Sequence, residues 1–183
     1  YFAEGRLFQF SEATEIFQSA RKVTILFADL RGFTAASEGG ISEVELSRSL
    51  YPVFDPVAGI VRRFKGQIDK FTGDGVMITF GTAQATPEDE MNALRTAIAI
   101  QGVIKDLQTQ GRMSYRMGIG LHTGRAEISR FIRDEKSVDT TVIGRHVNIA
   151  SRVTGSGSRP WELEDKTTPQ RGDVGHDVWI DRE

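Results

Sequence analysis

The chain has 183 residues, 39% apolar and 26% charged, with a formal net charge of -2 and no cysteine. One ordinary domain with a sizeable core fits that length and balance. The near-neutral charge gives no electrostatic case for nucleic acid or an anionic membrane, and the lack of cysteine excludes disulfides and thiolate metal sites.

Residues 1–21 read as a lead-in or linker, with Phe8, Phe10, Ile16 and Phe17 among charged and small residues. The chain opens on Tyr1, so an upstream sensor or membrane anchor is expected. Lys22–Ala28 is nearly continuous in apolar and β-branched residues, which predicts a central strand covered on both faces. Asp29 ends it, and the loop Leu30–Thr34 follows.

Ser42 with Glu45 has capping-box spacing, and Leu50, Phe54, Val57, Val61 and Phe64 give one apolar helix face. Pro52 and Pro56 predict a kink or a fresh helix start, with Gly66 as the stop. Gln67–Thr72 and Val76–Gly81 flank Gly73-Asp74-Gly75, a hairpin pattern. Thr86-Pro87-Glu88-Asp89 opens a helix to about Gln110, with Leu94, Ala97, Ile98, Ile100, Ile104 and Leu107 as its apolar positions. Strands are expected at Tyr115–Leu121, Arg125–Ile132 and Val138–Ile143, and a helix at Gly144–Thr154. From Gly155 the pattern becomes a polar loop, with a short strand at Val178–Ile180. This order predicts an α+β, ferredoxin-like sandwich: a mainly antiparallel sheet with helices packed on one face.

Asp29 at a strand exit and Asp74 at a hairpin tip are candidate ligands for a hard divalent cation shared with phosphates. An aspartate in such a turn more often serves turn geometry, so neither carries the reading alone. Gly32 allows close backbone approach, and the following N–H groups suit phosphate, although Phe33 also reads as a core anchor. Asn148 and Arg152, four apart on a predicted helix, share a face.

Four blocks together resemble the class III adenylyl and guanylyl cyclases. They are Phe27–Thr34 (FADLRGFT), Asp69–Met77 (DKFTGDGVM), Gly118–Arg125 (GIGLHTGR) and Thr141–Arg152 (TVIGRHVNIASR), in the family's order and at its spacings. The resemblance implies the class III cyclase fold, with residues 22–154 as the catalytic domain and 155–183 as an incomplete C-terminal part of it. It implies two Mg²⁺ or Mn²⁺ ions per site, held by Asp29, Asp74 and the Leu30 carbonyl. It places the triphosphate on Gly32, Phe33 and Thr34, the purine on Lys70 and Thr141, and the ribose on Asn148. Arg152 would stabilise the transferring phosphate, and Arg125 is a weaker phosphate candidate. The implied activity is cytoplasmic conversion of ATP to cyclic AMP, with the ribose 3′-hydroxyl attacking the α-phosphate. Because this chain carries both the metal set and the base, ribose and phosphate set, the resemblance implies a head-to-tail homodimer with two shared sites. The chain departs from the pattern at Arg145-His146. It also lacks a recognisable later phosphate-binding lysine, and Lys166 is not assigned that role. A cyclase-homology domain that binds nucleotide or a partner without turnover is the competing reading. Lys70 disfavours a guanylyl cyclase, where glutamate is usual, and Thr72–Val76 lacks the diguanylate cyclase hairpin.

Overall fold

The computed structural model describes residues 15–33, 43–134, 137–156 and 178–180. The elements run β1 (Glu15–Arg31), α1 (Glu43–Arg63), β2 (Gln67–Phe71), β3 (Gly75–Phe80), α2 (Asp89–Thr109), β4 (Arg116–Asp134), β5 (Ser137–Ile143), α3 (Arg145–Ser156) and β6 (Val178–Ile180). Strand order is β2-β3-β1-β4-β5, antiparallel throughout, with β6 added parallel to β4 at Ile119–Leu121. The first six elements form the ferredoxin-like split βαβ arrangement, and β5 with α3 extends it.

β1 is longer than the apolar run predicted. It pairs with β4 from Glu15↔Ile132 to Arg31↔Arg116, so Gln18, Ser19 and Arg21 are held by ladder hydrogen bonds rather than by apolar pattern. The same ladder fuses the two strands expected at 115–121 and 125–132 into one. α1 runs unbroken through Pro52 and Pro56. Val53, Val57 and Val61 are buried along one face, and that packing outweighs the cost of interior prolines, about 3 kcal/mol each. The helix ends in a Schellman arrangement: Gly66 N–H donates to the Val61 carbonyl, and Lys65 N–H to that of Arg62. Lys65, not Gly66, takes the left-handed conformation, at φ 60°. Gly66 is small because a Cβ there would lie 2.7 Å from the Phe80 ring. The Ser42–Glu45 capping box and the loop at 157–177 fall outside the described residues or side chains.

In α2 the buried stripe is Ala93, Ala97, Ile100, Ile104 and Leu107, joined by Asn92 and Thr96. Ile98, expected in the core, is 61% exposed, because the stripe passes through Ala97 beside it.

The sheet separates two clusters. Leu26, Ala28, Leu30, Ile78, Met117, Ile119 and Leu121 pack under α1 and α2. The alternate residues Val23, Ile25, Met77, Ala126, Ile128 and Val142 pack with Ala150 of α3. Two helices therefore share one face as expected, and the third lies on the other. The reason is the glycine row of β4. A Cβ at Gly120 would clash with the Thr154 backbone and lie 2.8 Å from the Ala150 carbonyl oxygen, and one at Gly124 would clash with the His146 ring. α3 sits in the trough those glycines leave.

Candidate active site

Asp29 closes the apolar run of β1 and pairs in register with Gly75, so the strand exit lies against the hairpin tip that carries Asp74. Leu30 N–H donates to the Asp74 carbonyl at 3.4 Å. Gly73 takes φ 73°, as the turn requires. Gly75 has another role: a Cβ there would stand 2.8 Å from Asp29 Oδ1 and 3.0 Å from the Ala28 carbonyl oxygen. One glycine of the triplet thus makes the turn, and the other makes room for the first carboxylate.

Burial, then the charge of Asp74 beside it, holds the Asp29 carboxyl above its usual range, with Arg31 pulling the other way. Burial raises Asp74 as well. Two half-buried carboxyls within hydrogen-bonding reach, the charge of Asp74 disfavouring that of Asp29, fit a divalent cation that would relieve that repulsion. No cluster of three or more histidine or acidic groups occurs among the described residues. The carboxylates this end of the sheet offers a cation are those two.

The Leu30 side chain is core, which leaves only its backbone for a ligand role. Phe33 is 7% exposed and packs edge-on against Tyr115 at 5.3 Å, so any part it plays at phosphate is confined to its backbone. Gly32 takes φ 78° in the turn between them. Thr34 lies outside the described residues. Arg31 was not singled out from sequence. Its guanidinium fills the space above Gly118 and donates to the Thr154 carbonyl in the last turn of α3, tying β1 to that helix.

A second group of predicted residues meets elsewhere. Three strands separate β2 from β5 in sheet order, yet the sheet curls until Lys70 Nζ stands 3.5 Å from Thr141 Oγ1. Asn148 and Arg152 lie on the exposed side of α3, opposite the buried Ala150 and Thr154. Arg125 is not brought to the carboxylate pair. It pairs with Lys22, seven places along the ladder from Asp29, about 23 Å at strand rise, and donates to the Ala20 carbonyl at 3.5 Å. His146, at the position that departs from the family pattern, stacks on His122, with Nδ1 2.6 Å from His122 Nε2 and the rings inclined by 11°.

A sheet curled on itself, a carboxylate pair at one strand exit and a lysine–threonine pair across the curl define a nucleotide-processing α+β domain. The chain belongs to the adenylate and guanylate cyclase catalytic domain family, whose pattern matches residues 16–160. It is 32% identical over 145 residues to an adenylate cyclase of Anabaena cylindrica, covering 75% of this chain and 28% of that protein. The solved guanylyl cyclase Cya2 superposes with a TM-score of 0.67 at 32% identity, over 75% of this chain and 71% of that one. The adenylyl cyclase CyaB of P. aeruginosa superposes equally well, at 0.67 and 31% identity, over 76% and 74%. This chain thus spans little more than a quarter of its Anabaena relative's length, and its solved neighbours include both base specificities. Among the described residues no helix is long and apolar enough to cross a membrane.

Proposed function

We propose that this domain converts ATP to 3′,5′-cyclic AMP and pyrophosphate. The observation that carries the choice of base is Lys70 Nζ at 3.5 Å from Thr141 Oγ1. An ammonium only donates, whereas a hydroxyl donates or accepts. Adenine offers an acceptor at N1 beside a donor at N6, which suits a lysine and a threonine side by side. Guanine puts an N–H at position 1, which lysine cannot accept, so it would leave the threonine hydroxyl as the one acceptor while the ammonium turned to O6.

Asp29 and Asp74 would hold Mg²⁺ or Mn²⁺, which supplies Lewis acidity toward the 3′-hydroxyl and the departing pyrophosphate. Arg152 donates to the charged phosphate oxygens. Asn148 orients the ribose from the same helix face. The ribose 3′-oxygen forms a bond to the α-phosphorus, the bond to the β-phosphate oxygen breaks, and the hydroxyl proton passes to water or to a phosphate oxygen. Arg31 holds α3 against the strand that carries Asp29, which fixes the helix bearing Asn148 and Arg152.

The exposed Asn148 and Arg152 support a site shared between two copies, each giving its carboxylates to one site and its reading residues to the other. Mixing Asp29→Ala chains with Arg152→Ala chains tests this, with recovered activity expected from the one intact composite site. No recovery refutes sharing. Cyclic nucleotide formation from ATP and GTP with Mn²⁺, over a range of protein concentrations, tests the activity. Folded protein that binds nucleotide without product supports the non-catalytic reading instead.

A further inference from the structure

Successive strand residues project to opposite faces, so Asp69 and Lys70 should point apart. The β2–β3 register runs Gln67↔Thr79, Ile68↔Ile78, then Lys70↔Met77 and Phe71↔Val76, which leaves Asp69 without an opposite residue. That is a bulge, a device that re-aims a side chain. Here it brings the Asp69 carboxylate beneath Lys70, with Oδ2 3.3 Å from Nζ. The Asp69 side chain is 3% exposed and that of Lys70 49%. The ammonium is charge-paired with Oδ2, which is itself buried. Across the curl, the same carboxylate accepts the backbone N–H of Val142, the residue after Thr141.

One buried anion therefore touches both halves of the base-reading pair, through its own neighbour on β2 and through Thr141's neighbour on β5. A lysine stem carries large rotamer freedom, and a fixed anion beneath it restricts the ammonium to a short arc.

We propose that Asp69 is a positioning residue for base selection: it staples β2 to β5 and aims Lys70 beside Thr141. This rests on the adenylyl reading above. Asparagine at 69 keeps the shape and an acceptor for Val142 while removing the charge that faces Lys70.

The test is calorimetric binding of 3′-deoxy-ATP and 3′-deoxy-GTP with Mn²⁺, since neither has the attacking hydroxyl and turnover cannot intrude. Wild type should prefer the adenine nucleotide. Asp69→Asn should cut that preference by about tenfold, the scale on which losing a group that orients a ligating side chain is felt. Lys70→Ala should cut it further, and adding Asp69→Asn to Lys70→Ala should change nothing more. If Asp69→Asn fails to fold, Asp69→Ser should lose at least as much preference, and only a smaller part of that loss should remain in the Lys70→Ala background, because serine gives up the reach to Val142 as well as the charge. A preference that survives the charge removal overturns this inference alone, as does an equal loss in the Lys70→Ala background. A wild-type chain with no preference for adenine removes the adenylyl reading and this inference together.

Discussion

Gly120→Ala tests the glycine trough directly. The added Cβ would overlap the Thr154 amide and hydroxyl and lie 2.8 Å from the Ala150 carbonyl oxygen. Those contacts belong to the α3 backbone and to a buried residue, so no flexible side chain can swing away. Restoring ordinary van der Waals separation near 3.5 Å moves the helix off the sheet by about 1 Å. Overpacking of this kind costs about 1–3 kcal/mol. In a chain of this size that lowers the melting temperature by roughly 2–12 °C. A misplacement of about 1 Å in a catalytic element costs on the order of a hundredfold in rate. Asn148 and Arg152 ride on α3, so cyclic nucleotide formation should fall by about that factor at temperatures where the variant is folded. Thermal melting and steady-state turnover read the two effects separately. An alanine variant with wild-type melting and wild-type turnover would refute the close approach.

Gly59 and Gly102 are exposed helix positions where an added Cβ meets nothing within 4 Å. Alanine at either should therefore stabilise, by about 0.5–1 kcal/mol in urea titrations. At the end of α1, Lys65→Gly should stabilise by about 1 kcal/mol because Lys65 holds φ 60°. Gly66→Ala next to it should destabilise by about 1–3 kcal/mol, since its Cβ would meet the Phe80 ring at 2.7 Å. Burial raises the Asp69 carboxyl above its ordinary 3.8, against the pull of Lys70. A raised folded value favours the protonated form, so that contribution is complete below about pH 4 and is lost as pH rises through the folded value. Asp69→Asn should accordingly gain stability relative to wild type as pH rises above about 4, as denaturant titrations at several pH values would show.

Much of the candidate site was legible because its residues sit where local pattern is strong. Asp29 ends an apolar run, Asp74 lies between two glycines and two strands, and Asn148 with Arg152 follows helical spacing. The short strand at Val178–Ile180 was also foreseen, although no pattern said that it would join β4 in parallel. Asp69 was not legible. Alternation sets it opposite Lys70, and only a bulge, written in register rather than composition, turns it around. Arg31 read as an ordinary loop residue because its partner, the Thr154 carbonyl, is 123 residues away. The polar half of β1 read as a lead-in because its reason to be a strand lies in β4. The glycines of β4 stood in one of the four blocks without a packing reason, and what they accommodate is a helix encoded later in the chain. Pro52 and Pro56 misled for the opposite reason: local cost was visible, and the packing of Val53 and Val57 that outweighs it was not.

The central position of β1 also governs how this domain is made. Among the described strands it is the first synthesised, and β3, on one side of it, is complete by Phe80. Its other side stays bare until β4 emerges from Arg116 onward, which at ordinary translation speeds is a delay on the order of ten seconds. During that interval the edge of a 17-residue strand containing Val23-Thr24-Ile25-Leu26-Phe27 presents unpaired backbone groups to any other chain nearby. Nascent chains on one message are such neighbours. The long-range β1–β4 ladder joins residues about a hundred positions apart, the kind of pairing that slows folding and prolongs the exposure of that open edge until the second half of the sheet arrives.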